Sequence, residues 1–221
     1  MKIDRAGLPF ILGSLLPAAA LVALRRPTWA LPLIALSGFC AFFFRDPERD
    51  VPDDPSLVLA PADGRVMHAG PAEPEVAPEG AWTQISIFLS PLDVHVNRTP
   101  TSGRILSVDY RPGRFLPAYR REAAAENERS EIWIDHVGQT VVCRQVVGLL
   151  ARRVVCRLVA GTDVRQGQRL GIMKFGSRMD VFLPPDSVLE VEVGDMVRGG
   201  ETIMSRLSSH GQPDQIGRAH V

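Results

Sequence analysis

The sequence has little cysteine and no excess of either charge, and both absences exclude classes of protein. Its three cysteines, Cys40, Cys143 and Cys156, form no C-x-x-C pair and have no neighbouring histidine, which argues against a zinc site or a disulfide framework. They are predicted to be small buried side chains in a reducing compartment. Lysine and arginine together number 25, as do aspartate and glutamate. The basic excess typical of nucleic-acid-binding proteins is therefore missing.

Charge is also absent from two stretches near the N-terminus, residues 8–24 and 28–44, each about 17 residues long. A helix of that length is at the lower limit for crossing a hydrocarbon core of about 30 Å. The segment Arg25-Arg26-Pro27 separates the stretches. Residues 1–45 are therefore predicted to form a membrane-associated helical hairpin.

The positive charges around these stretches indicate on which side of the membrane the rest of the chain lies. Lys2, Arg5, Arg45 and Arg49 flank the outer ends, against two arginines in the turn. This balance favours insertion into the cell membrane with the domain that follows on the cytoplasmic side. Prolines within the stretches leave open whether the hairpin spans the bilayer or dips into one leaflet. The first stretch also fits a cleaved signal peptide, but the second would still anchor the product.

The character of the chain changes at RDPERDVPDDP, a charged and proline-rich segment that cannot continue a helix. Over residues 46–208, short alternating and β-branched runs are separated by Gly, Pro, Asp and Asn, which predicts a mainly β domain. The one predicted helix, in AYRREAAAENERS, is a short surface helix or a loop. Residues 209–221 lack periodicity and are predicted to be a disordered tail. The last of them resemble translated adapter sequence.

A faint internal repeat gives this domain an expected shape. The segment VRQGQRL at residues 164–170 returns as VRGGETI at residues 197–203. Two such turns predict a pseudo-symmetric sandwich of hairpins resembling a barrel-sandwich hybrid, and two copies are too few for a solenoid.

The dipeptide Gly176-Ser177 lies between the two copies of the repeat. A serine hydroxyl can reach the preceding carbonyl, and glycine offers no side chain to obstruct it. Taken alone, however, Gly-Ser is more often an ordinary hairpin turn. Its interpretation depends on the other candidate residues.

Histidine is the usual general base near neutral pH, and His95 has the richest surroundings. It lies in SPLDVHVNRTP, among charged and amide side chains at the end of an apolar run. His68 and His136 are predicted to be structural. Asp63, in the turn of LAPADGRV, could orient an imidazole as the third member of a Ser-His-Asp arrangement does.

Six segments in order resemble phosphatidylserine decarboxylase in its short bacterial and archaeal form. The resemblance covers about residues 43–204. The segments are FFRDPER, LAPADGRV, FLSPLDVHVNR, ENER, QVVGLLARRVVC and KFGSRMDVFLP.

The resemblance implies an enzyme that makes its own pyruvoyl cofactor, without a metal. Ser177 would attack the Gly176 carbonyl, and the resulting ester would eliminate to leave a dehydroalanine at the start of a short second chain. Water would hydrolyse this dehydroalanine to a pyruvoyl group with loss of ammonia. The product would be a heterodimer of residues 1–176 and the remainder, and a homo-oligomer is left open. The pyruvoyl ketone would condense with the amine of phosphatidylserine in the bilayer. The imine would accept the electrons left by carbon dioxide, giving phosphatidylethanolamine for phospholipid biosynthesis.

The resemblance also implies roles for single residues. Asp63 and Ser177 match the cleavage triad of the family, and His95 matches the histidine tied to decarboxylation. Longer relatives have a second histidine, the cleavage base, where this chain has Arg98. Either His95 performs both tasks or the base differs in the short form. Arginine is a poor base, but Arg98 could bind the carboxylate or phosphate of the substrate.

Two other functions compete with this interpretation. GTDVRQGQRLGIMKF resembles the hairpin of biotinyl and lipoyl carriers or membrane-fusion adaptors, with Lys174 as the acceptor. Carriers, however, lack a Gly-Ser after the lysine and have no use for DVHVNR. A membrane-anchored β module without chemistry is the third possibility, and it predicts one intact chain.

Overall fold

The computed structural model describes residues 2–149, 154–173 and 177–208, and it begins with a pair of helices. A 3₁₀ turn at Arg5–Gly7 leads into α1, Leu8–Ala23, and a short connection leads to α2, Pro27–Phe43. The helical stretch Arg5–Ala23 is long and apolar enough to cross a membrane, whereas α2 is shorter. Large apolar side chains on both helices are exposed. The predicted helical hairpin is confirmed as a pair of helices.

The remainder of the described chain is mainly β, as predicted. Its strands form an eight-stranded sheet, two three-stranded sheets and one two-stranded pairing. No strand pairing among the described residues closes these sheets into a barrel. The strands are β1 Lys2–Ile3, β2 Arg45–Asp46, β3 Leu57–Leu59, β4 Gly64–Pro71, β5 Thr83–Leu89, β6 Val96–Arg98, β7 Gly103–Arg111, β8 Arg129–His136, β9 Gln139–Val147, β10 Val154–Cys156, β11 Asp163–Val164, β12 Arg169–Met173, β13 Ser177–Leu183, β14 Val188–Leu189, β15 Met196–Val197 and β16 Ile203–Arg206.

The eight-stranded sheet supplies most of the core, and β13 lies inside it. This strand pairs antiparallel with β5 on one side and with β9 on the other. Successive side chains of a strand point to opposite faces. Met179, Val181 and Leu183 therefore share one face, where they join the main apolar cluster. Ser177 is two residues before Met179, so its side chain is on the same face and points toward this interior.

The internal repeat is visible in the strand pairing. Each copy pairs its first valine with a glycine of a distant strand, Val164 with Gly103 and Val197 with Gly64. The glycine three residues after each valine has a left-handed φ, 70° in the first copy and 80° in the second. Equivalent turns and equivalent partners confirm the predicted pseudo-symmetry of the hairpins.

The helical pair is attached to the β domain by several contacts. Strand β1 pairs with β2, and Asp4 forms an ion pair with Arg157. Phe43 and Phe44, at the end of α2, pack in a cluster with Val94, Val96, Ile172 and Cys40. The division of the chain at residue 45 stays a prediction, but these contacts join its two sides.

Two smaller predictions met different outcomes. The helix expected in AYRREAAAENERS is α3, Ala123–Glu126, and it is short as predicted. However, Ala123 and Ala124 are buried, and Ala124 packs in an apolar cluster with Val76, Val142 and Phe182. Of the cysteines, which are all free, Cys40 and Cys143 are buried and Cys156 is partly exposed. The predicted tail lies outside the described residues.

Substituting Gly64 tests the close approach of β4 to β5. A Cβ on Gly64, whose φ is +154°, would lie 2.2 Å from the Phe88 carbonyl oxygen, whereas a Cβ on Gly70, with φ +152°, meets nothing within 4 Å. We expect Gly64→Ala to lower the free energy of unfolding by about 1–3 kcal/mol more than Gly70→Ala does. Urea unfolding of the full chain in detergent measures the difference. Equal losses would show that the contact with Phe88 is easily relieved.

Candidate active site

Ser177 is the first residue of β13, and the sheet determines its position. It lies opposite Leu89 of β5 and Val147 of β9. Its side chain is fully buried, and its hydroxyl has no hydrogen-bond partner within the described residues. Buried polar atoms in folded proteins are nearly always paired. The unpartnered hydroxyl of Ser177 is therefore an exception that calls for an explanation. Gly176 and Lys174 lie outside the described residues.

His95 directly precedes β6 and is buried against the helical pair. Its ring centroid lies 4.1 Å from that of Phe43. Its Nδ1 is 2.9 Å from the backbone oxygen of Asp93. Because a carbonyl oxygen only accepts, Nδ1 carries the proton and the lone pair of the neutral ring is on Nε2. Burial lowers the pKa of His95 to about 4, so its imidazole is neutral at physiological pH.

The backbone brings His95 close to the segment that leads to Ser177. Strand β6 pairs with β12, where Val96 lies opposite Ile172. The Met173 amide donates to the His95 carbonyl oxygen at 3.4 Å. Met173 is four residues before Ser177 in the chain. His95 thus lies beside β12, the strand that precedes Ser177 in the chain, although β12 belongs to the three-stranded sheet and Ser177 to the eight-stranded one.

Asp63 lies in the turn before β4, and its carboxylate is held by an arginine. Nη2 of Arg49 lies 2.8 Å from both carboxylate oxygens, and the Gly199 amide donates to Oδ1, also at 2.8 Å. The Arg49 guanidinium also contacts Glu201 at 3.3 Å. These are the hydrogen bonds that Asp63 makes among the described residues, so its predicted orienting role toward an imidazole stays a prediction.

Arg98 is buried in a different part of the same neighbourhood. Its guanidinium donates to the Gly167 carbonyl at 3.0 Å, the Pro47 carbonyl at 2.9 Å and the Asp46 carboxylate at 3.2 Å. Burial lowers the pKa of its guanidinium from 12.5, but an arginine remains protonated in proteins. These contacts engage Arg98 fully within the fold. Its predicted binding of substrate stays a prediction.

The other histidines make the contacts expected of structural residues. His68 Nε2 lies 3.0 Å from the Pro71 carbonyl oxygen. His136 Nδ1 lies 2.7 Å from the Ser102 carbonyl oxygen. Each thus holds its own turn or strand end. Among the described residues, no cluster of three or more His, Cys, Asp or Glu side chains is placed to hold a metal.

Sequence reasoning did not identify four residues of this neighbourhood. Arg49 and Phe43 lie in the segment FFRDPER, but nothing in that segment shows that they contact Asp63 and His95. Asn97 follows His95 by two residues, and its Oδ1 accepts from Gln145 Nε2 at 2.9 Å. Gln145 gives no sequence signal beyond being a polar residue in an apolar run. The polar residues of DVHVNR were the one available signal for Asn97.

Comparison with known proteins identifies the family of the chain. A sequence model of the phosphatidylserine decarboxylase family matches residues 36–205. A protein of Solibacter usitatus named phosphatidylserine decarboxylase proenzyme is 44% identical, over 93% of this chain and 97% of its own length. Proteins of the same name from Pelodictyon phaeoclathratiforme and Geotalea daltonii are 43% and 42% identical. They align with 89% and 90% of this chain, and with 93% of their own length in both cases.

The lowered pKa of His95 makes the stability of the fold depend on pH. Since its pKa is about 4 in the folded chain and 6.5 for a histidine freely exposed to water, the unfolded chain binds the extra proton first. The stabilisation is complete above pH 6.5 and is lost as pH falls toward 4, at up to about 1.4 kcal/mol per pH unit. Urea unfolding at several pH values should show this slope, and the slope should be smaller in His95→Gln.

An NMR titration provides a second reading of the same property. We expect the His95 ring to stay neutral, with its proton on Nδ1, from pH 8 down to pH 5. His68, which is more exposed, is the internal control. A ring that becomes charged between pH 6 and 7, together with equal slopes for wild type and His95→Gln, would contradict this description of the site.

Proposed function

The chain belongs to the phosphatidylserine decarboxylase family and is a phosphatidylserine decarboxylase, and we propose that it forms its own pyruvoyl group by cutting the bond between Gly176 and Ser177. The observation that carries this proposal is the buried hydroxyl of Ser177, which has no partner within the described residues. The relatives are named proenzymes, a term for a precursor that is processed.

The first step would be an attack by Ser177 Oγ on the carbonyl carbon of the preceding residue. The hydroxyl proton must pass to a base, and the contacts favour His95 over Arg98. His95 is neutral and has its lone pair on Nε2, since Nδ1 donates to Asp93. Arg98 is charged and engaged with Asp46. We therefore assign both cleavage and decarboxylation to His95, whose ring is oriented by the Asp93 carbonyl. Asp63 stays the predicted orienting acid, provided that it can exchange its contacts with Arg49 and Gly199.

The carbon–nitrogen bond would then break, giving an ester, and elimination would release the upstream chain. Strand pairing accounts for the way in which the two products stay together. From Ser177 to Leu183, β13 is paired with β5, and it is paired with β9 over most of that length. The position of Ser177 at the end of this strand fits a group that forms the new N-terminus of the short chain.

When present, the pyruvoyl group supplies an electrophilic ketone that captures the amine of the headgroup and withdraws the electrons left by carbon dioxide. The residues of this chain bind the headgroup and deliver the proton. The negative charges of phosphatidylserine would raise the pKa of a nearby His95, turning a base into a proton donor. Arg98 remains the predicted substrate-binding residue, provided that it can exchange one of its present contacts.

The helical pair places this chemistry beside a bilayer. Arg45, just after α2, stacks on Phe42 at 3.9 Å and donates to the Leu92 carbonyl at 2.7 Å. The exposed Leu92 and the rings of Phe43 and His95, which are tilted by 34° to each other, therefore lie at the end of the helix. We propose that the helices hold the enzyme on the cytoplasmic face of the cell membrane, where its lipid substrate remains, and that it serves phospholipid biosynthesis.

Family membership decides between this enzyme and the carrier or adaptor. The carrier interpretation depended on Lys174, which lies outside the described residues. The match to decarboxylase proenzymes covers nearly the whole chain, including the DVHVNR segment that a carrier would not need. Modification at Lys174 is therefore not proposed.

The cleavage is tested with the wild-type chain and Ser177→Ala. We expect wild type to separate on a denaturing gel into two fragments whose masses place the break between residues 176 and 177, because the hydroxyl is the nucleophile. Ser177→Ala should remain one chain and lack decarboxylase activity. A wild-type preparation that decarboxylates phosphatidylserine while remaining one chain would contradict the proposal.

The identity of the base is tested with His95→Ala. If His95 serves both steps, this variant should stay uncleaved and inactive, whereas His68→Ala should cleave normally. Normal cleavage of His95→Ala would assign the base elsewhere and leave His95 only the decarboxylation step. Decarboxylase activity retained in that variant would remove His95 from the mechanism.

A further inference from the structure

Two amide side chains near Ser177 carry unused hydrogen-bonding groups. Asn97 and Gln145 are fully buried. Gln145 Nε2 donates to Asn97 Oδ1 at 2.9 Å. The Asn97 Nδ2 group and the Gln145 Oε1 atom have no partner within the described part of the chain, and the same is true of the Ser177 hydroxyl. Buried amides are rarely left half-satisfied without a reason.

Strand register places these groups beside Ser177. In β9, Gln145 lies opposite Met179, and Val147 lies opposite Ser177. Gln145 is therefore the diagonal neighbour of Ser177 on the same face, and such neighbours lie about 7–8 Å apart, within reach of a long side chain. Asn97 comes from β6, in the smaller sheet. The amide pair thus crosses between two sheets next to the serine.

Another buried glutamine in the fold uses both ends of its amide. Gln84 is equally buried, on the opposite face of the eight-stranded sheet. Its Nε2 donates to Ser86 Oγ at 2.9 Å, and its Oε1 accepts from the Glu73 amide at 3.1 Å. Both ends of the Gln84 amide are used. In the Asn97–Gln145 pair, by contrast, the Nδ2 donor of Asn97 and the Oε1 acceptor of Gln145 are left unused within the described residues.

We propose, resting on the self-cleavage put forward above, that Asn97 donates a hydrogen bond to the oxygen that becomes negative when Ser177 attacks. The attacked carbon is bonded to Ser177 N, about 1.33 Å away. Preorganised donors at such an oxygen are among the largest contributions to acyl-transfer catalysis. Asn97 is then a catalytic residue, and Gln145 is a positioning residue that holds its Oδ1.

The step balances without any co-reactant. The bond from Ser177 Oγ to the carbonyl carbon forms, and the carbonyl π electrons move to the oxygen that Asn97 stabilises. The hydroxyl proton passes to the base. As the oxygen electrons return, the carbon–nitrogen bond breaks and the proton is given to the departing nitrogen. The product is an ester isomer of the starting amide.

The sharpest variant is Asn97→Asp in the full-length proenzyme. It keeps the oxygen that accepts from Gln145 and removes the Nδ2 donor. We expect newly synthesised chains to cleave slower by on the order of 100-fold, measured by pulse labelling and intact mass. Adding hydroxylamine, which attacks an ester, should not restore the wild-type rate, because the ester itself forms slowly.

A second pair of variants separates this role from a merely structural one. Gln145→Met and Gln84→Met each remove one buried amide, and thermal unfolding reports the stability that each loses. We expect Gln145→Met to slow cleavage and Gln84→Met to leave its rate unchanged. Combined with Asn97→Asp, Gln145→Met should add little, because both act through one hydrogen bond.

The outcomes distinguish this inference from the self-cleavage on which it rests. If the wild-type chain stays intact, the self-cleavage itself is wrong. If wild type cleaves and Asn97→Asp cleaves equally fast, or does so once hydroxylamine is added, the amide is not the donor for the first step. Equal slowing by Gln145→Met and Gln84→Met would likewise overturn the inference in favour of a structural role.

Discussion

The pairing of β13 between β5 and β9 is the constraint on which the rest of the site depends. When a strand is paired on both sides, its register determines which side chains face the core, since a shift of one residue would turn every side chain to the other face. Here the register buries Met179, Val181 and Leu183 in the core, and Ser177 is carried into the interior with them. The hydroxyl loses water there and finds no partner among the described residues, a cost to the fold that the proposed self-cleavage would explain.

A second constraint joins the membrane segment to the site. The helix α2 ends at Phe43, whose ring packs on His95. This contact helps to desolvate the imidazole and to keep it neutral, and it places the base at the end of the helix. The same few residues therefore link the apolar helical pair to the protonation of His95. Loss of the helical pair would be expected to expose the His95 ring and raise its pKa.

Much of the fold could be predicted from the sequence, because its signals are local. Runs without charge indicated the helices, alternating apolar residues indicated the strands, and the repeated VRxG turn indicated the pseudo-symmetry. The resemblance of the ordered segments then singled out Ser177, His95 and Asp63. A pair such as Asn97 and Gln145, 48 residues apart, leaves no local pattern, because its meaning depends on which strands become neighbours. The partnership of Arg49 with Asp63 was missed for the same reason. Arg98 is the opposite case. Its residue type suggested substrate binding, but its buried guanidinium donates to three partners inside the fold.

The central claim is that the residue at position 177 becomes the electrophile that receives phosphatidylserine. Reductive trapping with cyanoborohydride in vesicles that contain the lipid tests it most directly, with mass spectrometry of the separated chains. The account predicts that the short chain beginning at residue 177 gains the mass of a lipid-derived amine, and that without lipid it gains none. An adduct confined to the longer chain, which contains Lys174, or no adduct on the short chain during active turnover, would contradict it.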